Sequence, residues 1–284
     1  MSKKYEKKIH ITDNTTAGKL LNFVGYDKSV LEIGCASGVQ SKQLRDVFRC
    51  KITGVEIDAV AAEQSKQYCD SLIVGDIENI CLTECLGDAT FDVILMADVL
   101  EHLQQPGAVL QKLKPFLTDK KSYVVISIPN IVHASVVYQM MQGVFRYSDF
   151  GLLDDTHIRF FTKQGIMELL DTSGFNIIEL RRVLCDPLQT EIQVTINSPE
   201  DYRAMEYLLQ HNPESLVYQY VIKASIRCDS DYRTATIDNV GDFEQMLNFN
   251  DCLMRKFSMK SRRSILTKLN ACWKHFCASS KKEC

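Results

Sequence analysis

Apolar residues along this chain fall into short runs separated by amphipathic stretches. Residues 29–33, 51–56, 71–74, 91–96 and 122–128 are strand-sized, and the last two runs are apolar almost throughout. Between them, 41–48, 59–68 and 106–117 carry the spacing of helices. Strands alternating with helices of about ten residues predict βαβ units and a parallel sheet buried on both faces. A helix is expected ahead of them over 16–24, with Asn14, Thr15 and Thr16 as cap-type side chains. After Asn130 the rhythm loosens. A helix over 131–142 leads to an aromatic, polar loop at 145–161 and a helix over 162–173 that Gly174 stops. A strand at 175–183, an acidic helix at 198–210 and a last strand at 218–226 follow. The pattern predicts a Rossmann-like, doubly wound α/β fold: a mostly parallel seven-stranded sheet, flanking helices and a C-terminal helical extension. One domain is expected over residues 1–227, with a polar linker and basic helical tail over 228–284.

Composition changes this picture little. The chain has 284 residues, 45% hydrophobic and 24% charged, an ordinary globular balance. A net charge of -3 gives no global pull toward nucleic acid, so no such partner is expected. Charge is uneven, however. From Cys252 onward the chain is basic, and Ile265, Leu269, Trp273 and Phe276 form an apolar stripe at helical spacing. That stripe suits peripheral contact with an anionic membrane face, or equally packing on the domain or a second subunit. No apolar run is long enough to span a bilayer, and the charged start MSKKYEKKIH lacks the apolar core of an export signal. A cytoplasmic location is expected. The eleven cysteines are scattered, odd in number and free of CxxC pairs, which argues against a disulfide framework or a zinc knuckle. They read as small buried hydrophobes in a reducing compartment.

The sharpest chemical signal is Val30-Leu-Glu-Ile-Gly-Cys-Ala-Ser-Gly38. A strand ends near an acid, Glu32, and Gly34-x-x-x-Gly38 then turns the chain into a helix. Glycines let the backbone approach a ligand, and the helix start offers free N–H groups. A pyrophosphate site would want G-x-G-x-x-G, but Ala36 replaces its second glycine. The acid just upstream suits the ammonium of an amino acid instead, which points to S-adenosylmethionine (SAM). Glu56 closes the next strand about twenty residues on, the spacing of an acid that binds ribose hydroxyls. Asp76 follows the third strand, where it can accept from an adenine amino group while Ile77 packs on the ring.

With these three signals at successive strand ends, the sequence resembles a class I SAM-dependent methyltransferase. Glu32, Gly34 and Gly38 match that superfamily's first motif, Glu56 its second-strand acid and Asp76 its adenine contact. Residues 91–102 match its fourth-strand motif. The resemblance implies that Cys35 and Ala36 of the turn, Ile57, and Ala97 and Asp98 also line the cofactor. The sequence departs from the pattern at Cys35-Ala36-Ser37, where many members have a further glycine.

Asp98, Glu101 and His102 fall at i, i+3 and i+4 after the fourth strand. His133 follows the fifth, and His157 lies in the loop Gly151-Leu-Leu-Asp-Asp-Thr-His-Ile-Arg-Phe-Phe-Thr162. Oxygen methylation needs a base beside the acceptor hydroxyl, so His157 and His133 are the candidate bases and Glu101 and His102 their companions. The bland alternative is that these groups cap helices and bridge backbone. Asp98, Glu101, His102 and His157 would also make a ligand set for a divalent cation. Small-RNA 2′-O-methyltransferases and ubiquinone-type O-methyltransferases carry a similar acid-x-x-Glu-His arrangement. Asp98 is one carbon shorter than the glutamate of that pattern, and Glu-His is common in class I enzymes without a metal, so no metal is assigned.

The block from Ser127 to Phe161 further resembles a bacterial methyltransferase subfamily that accompanies glycosyltransferases of surface-polysaccharide synthesis. That resemblance implies a sugar or glycan hydroxyl as acceptor and a glycosyltransferase as partner. Another acceptor (nucleic acid, protein or a small-molecule hydroxyl) stands as the alternative.

Overall fold

The structure is a computed structural model that describes residues 15–118, 121–212 and 214–227. Seven strands, β1 (Ser29–Ile33), β2 (Lys51–Glu56), β3 (Ser71–Val74), β4 (Val93–Ala97), β5 (Tyr123–Pro129), β6 (Phe175–Leu184) and β7 (Val217–Ile226), form one sheet. Their order is β3-β2-β1-β4-β5-β7-β6, and every pairing is parallel except those of β7 with β5 and β6. This is the Rossmann-like, mostly parallel sheet that the alternating pattern predicts. The order reverses between β1 and β4, and in open α/β sheets ligands bind at the carboxyl ends of strands beside such a switch point.

Burial follows the strand positions. All seven residues of β5 are buried, whereas the edge strand β3 has none fully buried. A core on one side of the sheet joins Leu20, Leu21 and Val24 of helix α1 (Thr16–Val24) to Val30, Ile52 and Val125 of the strands. Thr15 caps α1 by accepting from the Gly18 amide at 3.1 Å.

The remaining helices are α2 (Val39–Asp46), α3 (Ala59–Ser65), α4 (Leu82–Leu86), α5 (Pro106–Leu113), α6 (Ala134–Met141), α7 (Lys163–Thr172) and α8 (Pro199–His211). Several differ from the sequence reading for identifiable reasons. Helix α5 stops at Leu113 and a 3₁₀ turn, Lys114–Phe116, replaces its expected last turn, because Pro115 has no N–H to continue the ladder. Helix α6 begins three residues late because the His133 side chain caps it. Helix α4 is additional: it spans five residues and buries only Leu82, too little for a periodicity to reveal.

The described chain divides into two compact units. The larger holds residues 15–131, 146–184 and 217–227, and therefore the whole sheet. The smaller holds residues 132–145 and 185–216. Within the smaller unit, helices α6 and α8 bury Val136, Tyr138, Met205 and Leu209. Among the described residues no helix is long and apolar enough to cross a membrane. The tail expected over 228–284, with its basic helix and membrane-facing stripe, lies outside the described residues.

Candidate active site

The glycine turn after β1 is built from backbone geometry first. Gly34, Ala36 and Gly38 all have positive φ, at 72°, 47° and 80°. That region is open to glycine and costs other residues energy, so Ala36 must be held there. Glu56 at the end of β2 supplies the hold: its Oε2 accepts from the Ala36 amide at 2.7 Å. Its Oε1 accepts from the Asp58 amide at 2.9 Å, so one carboxylate fixes two loops. Each oxygen keeps a further lone pair, which is what a ribose hydroxyl would need. A Cβ at Gly38 would sit 2.8 Å from the Ser65 Cα, so only glycine lets the turn pass this close to α3.

Glu32 is buried and accepts from the Ser41 hydroxyl of α2 at 2.6 Å. Burial pushes its pKa up to about 8, with the Ser41 bond acting in the opposite direction. Asp76 accepts from the Glu78 amide at 2.9 Å and from Asn79 Nδ2 at 2.6 Å, which shapes the turn after β3. Ile77 is buried, while Ile57 stands 67% exposed just past Glu56. An apolar side chain left this open at a strand end is a surface for a flat ring. The carboxylates, the isoleucines and the strained turn fit SAM as expected: Glu56 would meet the ribose, Asp76 with Ile77 and Ile57 the adenine, and Glu32 with the turn backbone the methionine end.

Past β4 the chain makes a second strained turn. Asp98 has φ 54°, and its amide faces both the carbonyl and the hydroxyl of Ser127 on β5. Its Oδ1 accepts from Ser127 Oγ at 2.6 Å and from Gln219 Nε2 at 2.9 Å, and Thr16 bonds Gln219 in turn. Ser127 and Gln219 were not singled out in the sequence. They lie 29 and 121 residues from Asp98, and only the sheet order brings them together.

The 3₁₀ turn Leu100–His102 then brings Glu101 and His102 against the 146–162 loop. The Glu101 carbonyl accepts from the Ile158 and Arg159 amides at 3.0 and 2.9 Å, pinning that loop to the turn. His157 Nε2 lies 3.9 Å from Glu101 Oε1, and the His157 and His102 rings are 4.8 Å apart. Each imidazole faces a carbonyl through Nδ1: His102 that of Thr156 at 3.1 Å, His157 that of Leu152 at 3.3 Å. A carbonyl only accepts, so both Nδ1 atoms carry a proton. Among the described residues neither carboxylate oxygen of Glu101 has a hydrogen-bond partner. Burial, with Asp98 and Asp154 adding to it, drives the Glu101 pKa well up. Burial also lowers that of His157, with His102 second. The ring is therefore neutral near pH 7.

His133 stands elsewhere, in the smaller unit. It is fully buried, its Nδ1 faces the Ser135 hydroxyl at 2.8 Å and its Nε2 the Cys185 carbonyl at 3.1 Å. Burial brings its pKa down to about 4. It caps α6. On the loop of the larger unit, Tyr147, Phe150, Ile158 and Phe160 are exposed rather than core.

A sequence model for a methyltransferase domain matches residues 10–180, more than half the chain. The ubiquinone biosynthesis O-methyltransferase of Glaesserella parasuis serovar 5 is 28% identical over 33% of this chain and 42% of its own length. The mitochondrial ubiquinone biosynthesis O-methyltransferase of Schizosaccharomyces pombe is 25% identical over 61% of this chain and 63% of its own. The chain thus spans less than two thirds of either relative. A crystal structure of a SAM-dependent methyltransferase from Archaeoglobus fulgidus shares the fold, with a TM-score of 0.51 at 20% identity, over 73% of this chain and 90% of that one.

Proposed function

The chain belongs to the family of methyltransferase domains, and from that premise we propose that it methylates a hydroxyl oxygen on a small, ring-bearing acceptor. It is a SAM-dependent methyltransferase. When bound, SAM supplies an electrophilic methyl group. What the chain itself must add is a held acceptor and a place for the acceptor's proton.

The observation that carries the oxygen assignment is the neutral, Nδ1-anchored His157. An amine brings its own lone pair to a methyl group, whereas a hydroxyl is a poor nucleophile until its proton is taken. A buried imidazole with Nε2 unprotonated at neutral pH suits that task. The exposed aromatics Tyr147, Phe150 and Phe160 suit a flat face, whether an aromatic ring or the apolar face of a sugar. The curated relatives act in ubiquinone biosynthesis, which favours the small-molecule acceptor over a glycan.

A second reading, metal assistance, is favoured by one specific observation. Glu101, His102 and His157 offer ligand atoms that all lie within 4.8 Å of one another. Glu101 brings two unpartnered buried oxygens, and both Nδ1 atoms are tied to carbonyls, the usual outer support of a metal-bound imidazole. The residues fit a divalent cation, which would lower the acceptor's pKa as a Lewis acid.

The test is transfer of an isotopically labelled methyl from SAM to a panel of phenols, quinols and free or nucleotide-linked sugars, read by mass spectrometry. Labelled methyl ethers of a phenol or sugar are expected. Transfer only to nitrogen, protein or nucleic acid would overturn the reading. Activity that a strong chelator abolishes and a divalent ion restores would select the metal-assisted form.

A further inference from the structure

Two cysteines meet at the foot of the cofactor turn. Gly54 on β2 leaves a gap where a side chain would be, and both sulfurs point into it. A Cβ there would lie 2.9 Å from Cys35 Sγ and 3.1 Å from Cys69 Sγ. The two sulfurs therefore lie within about 6 Å of each other across that point. Cys35 is buried within the Gly34–Gly38 turn, and its sulfur also touches Ser65 Oγ at 3.5 Å. Cys69, half-buried just before β3, is reachable from solvent. The turn and the Ser65–Cys69 segment already touch, since the Gly38 backbone packs on Ser65 and Tyr68. Leu72 Cδ1 borders the same gap, 3.0 Å from the Cβ position at Gly54.

The chemistry of the pair is asymmetric. The neighbouring Cys35 thiol, with Ser41 and Arg45, lowers the Cys69 thiol to about 7, while Cys69 and burial push Cys35 up. An accessible thiolate beside a protonated thiol is the arrangement of a peroxide-sensitive cysteine and its resolving partner.

We propose that Cys35 and Cys69 form a reversible redox site that takes a hydroperoxide and, once oxidised, closes the SAM turn to its cofactor. The Cys69 thiolate attacks the hydroperoxide, the O–O bond breaks, and the leaving oxygen departs as an alcohol, or as water from hydrogen peroxide. The Cys69 sulfenic acid is then attacked by the Cys35 sulfur. An S–S bond forms, and the hydroxyl leaves with the Cys35 proton as a second water. Two thiols lose two electrons, and the hydroperoxide gains them. A dithiol reductant reverses the change.

The consequence follows from where Cys35 sits. A disulfide needs the sulfurs about 2.05 Å apart. Closing that gap pulls Cys35 toward Cys69 and away from its place between two residues already at positive φ. The Ala36 amide is thereby drawn off Glu56, and the loop that must meet SAM changes shape.

The test uses the full chain, with and without a few equivalents of hydrogen peroxide, followed by alkylation and non-reducing tryptic mapping. Residues 29–42 form a tryptic peptide in which Cys35 is the sole cysteine. It should appear linked to the peptide holding Cys69, with fragment ions placing the bond on Cys69 rather than Cys81 or Cys85. SAM affinity by calorimetry should fall at least tenfold and recover with dithiothreitol. The Cys69→Ser variant should show neither the link nor the loss. Failure to link, a link through Cys81 or Cys85, a linked protein with unchanged SAM affinity, or an equal loss in Cys69→Ser would each overturn the proposal. The untreated protein must bind SAM, which separates failure of the redox site from failure of the cofactor assignment.

Discussion

Two groups of acids lie at the strand ends of the larger unit, and they are treated oppositely. On the cofactor side, Glu32, Glu56 and Asp76 each accept at least one hydrogen bond from a neighbouring turn or helix. They shape the loops that hold them. On the acceptor side Glu101 is fully buried with neither oxygen hydrogen-bonded among the described residues, beside two imidazoles anchored through Nδ1. A buried polar group without a partner costs roughly 1–3 kcal/mol. Among these acids that cost falls on Glu101 alone.

The sharpest way to break this contrast is at His157. Replacing it with alanine should lower kcat by about 10²- to 10⁴-fold while leaving SAM affinity near normal. A KM change with kcat intact would make the residue a binding group instead. Next in size is Gly34→Val on the cofactor side. It forces a branched residue into φ 72° with its Cβ 3.0 Å from Val99 Cγ2. That conformation alone costs about 1–2 kcal/mol, so SAM binding should fall tenfold or more, with circular dichroism confirming the fold.

The smallest effect concerns pH. Glu32 holds its proton more tightly when folded, up to about 8 against an ordinary value of 4.5. Its contribution to stability is fully present below about 4.5 and is lost as pH rises to about 8. Glu101 acts in the same direction. The melting temperature of the SAM-free protein should therefore decline across that window. Glu32→Gln, which keeps the neutral shape, should flatten the decline; an unchanged slope would remove Glu32 from the account.

The sheet was legible because β1, β4 and β5 are buried on both faces, so their apolar runs are unbroken. The glycine turn was legible for a related reason: Glu32, Gly34 and Gly38 stand within seven residues at the end of β1, with Glu56 and Asp76 at the ends of the next two strands. The acceptor side was legible in composition but not in arrangement. His133 and His157 look alike in sequence, yet one caps a helix with both nitrogens engaged and the other faces a buried acid. Ring direction depends on carbonyls supplied from other segments, and no local pattern encodes that. The link from Asp98 to Ser127 and Gln219 was hidden likewise, since β7 reaches β5 only through an antiparallel pairing across the sheet.

The most direct test of the division between the two sides is calorimetric titration of SAM into Glu56→Ala and His157→Ala, each against the unaltered chain. Removing Glu56 strips both the ribose acceptor and the anchor of Ala36, so affinity should drop by about 1–3 kcal/mol, roughly 5- to 150-fold. His157→Ala should bind within about twofold of the unaltered chain, as expected for a group outside the cofactor's contacts. Equal losses in the two variants, or an undiminished affinity in Glu56→Ala, would contradict the account.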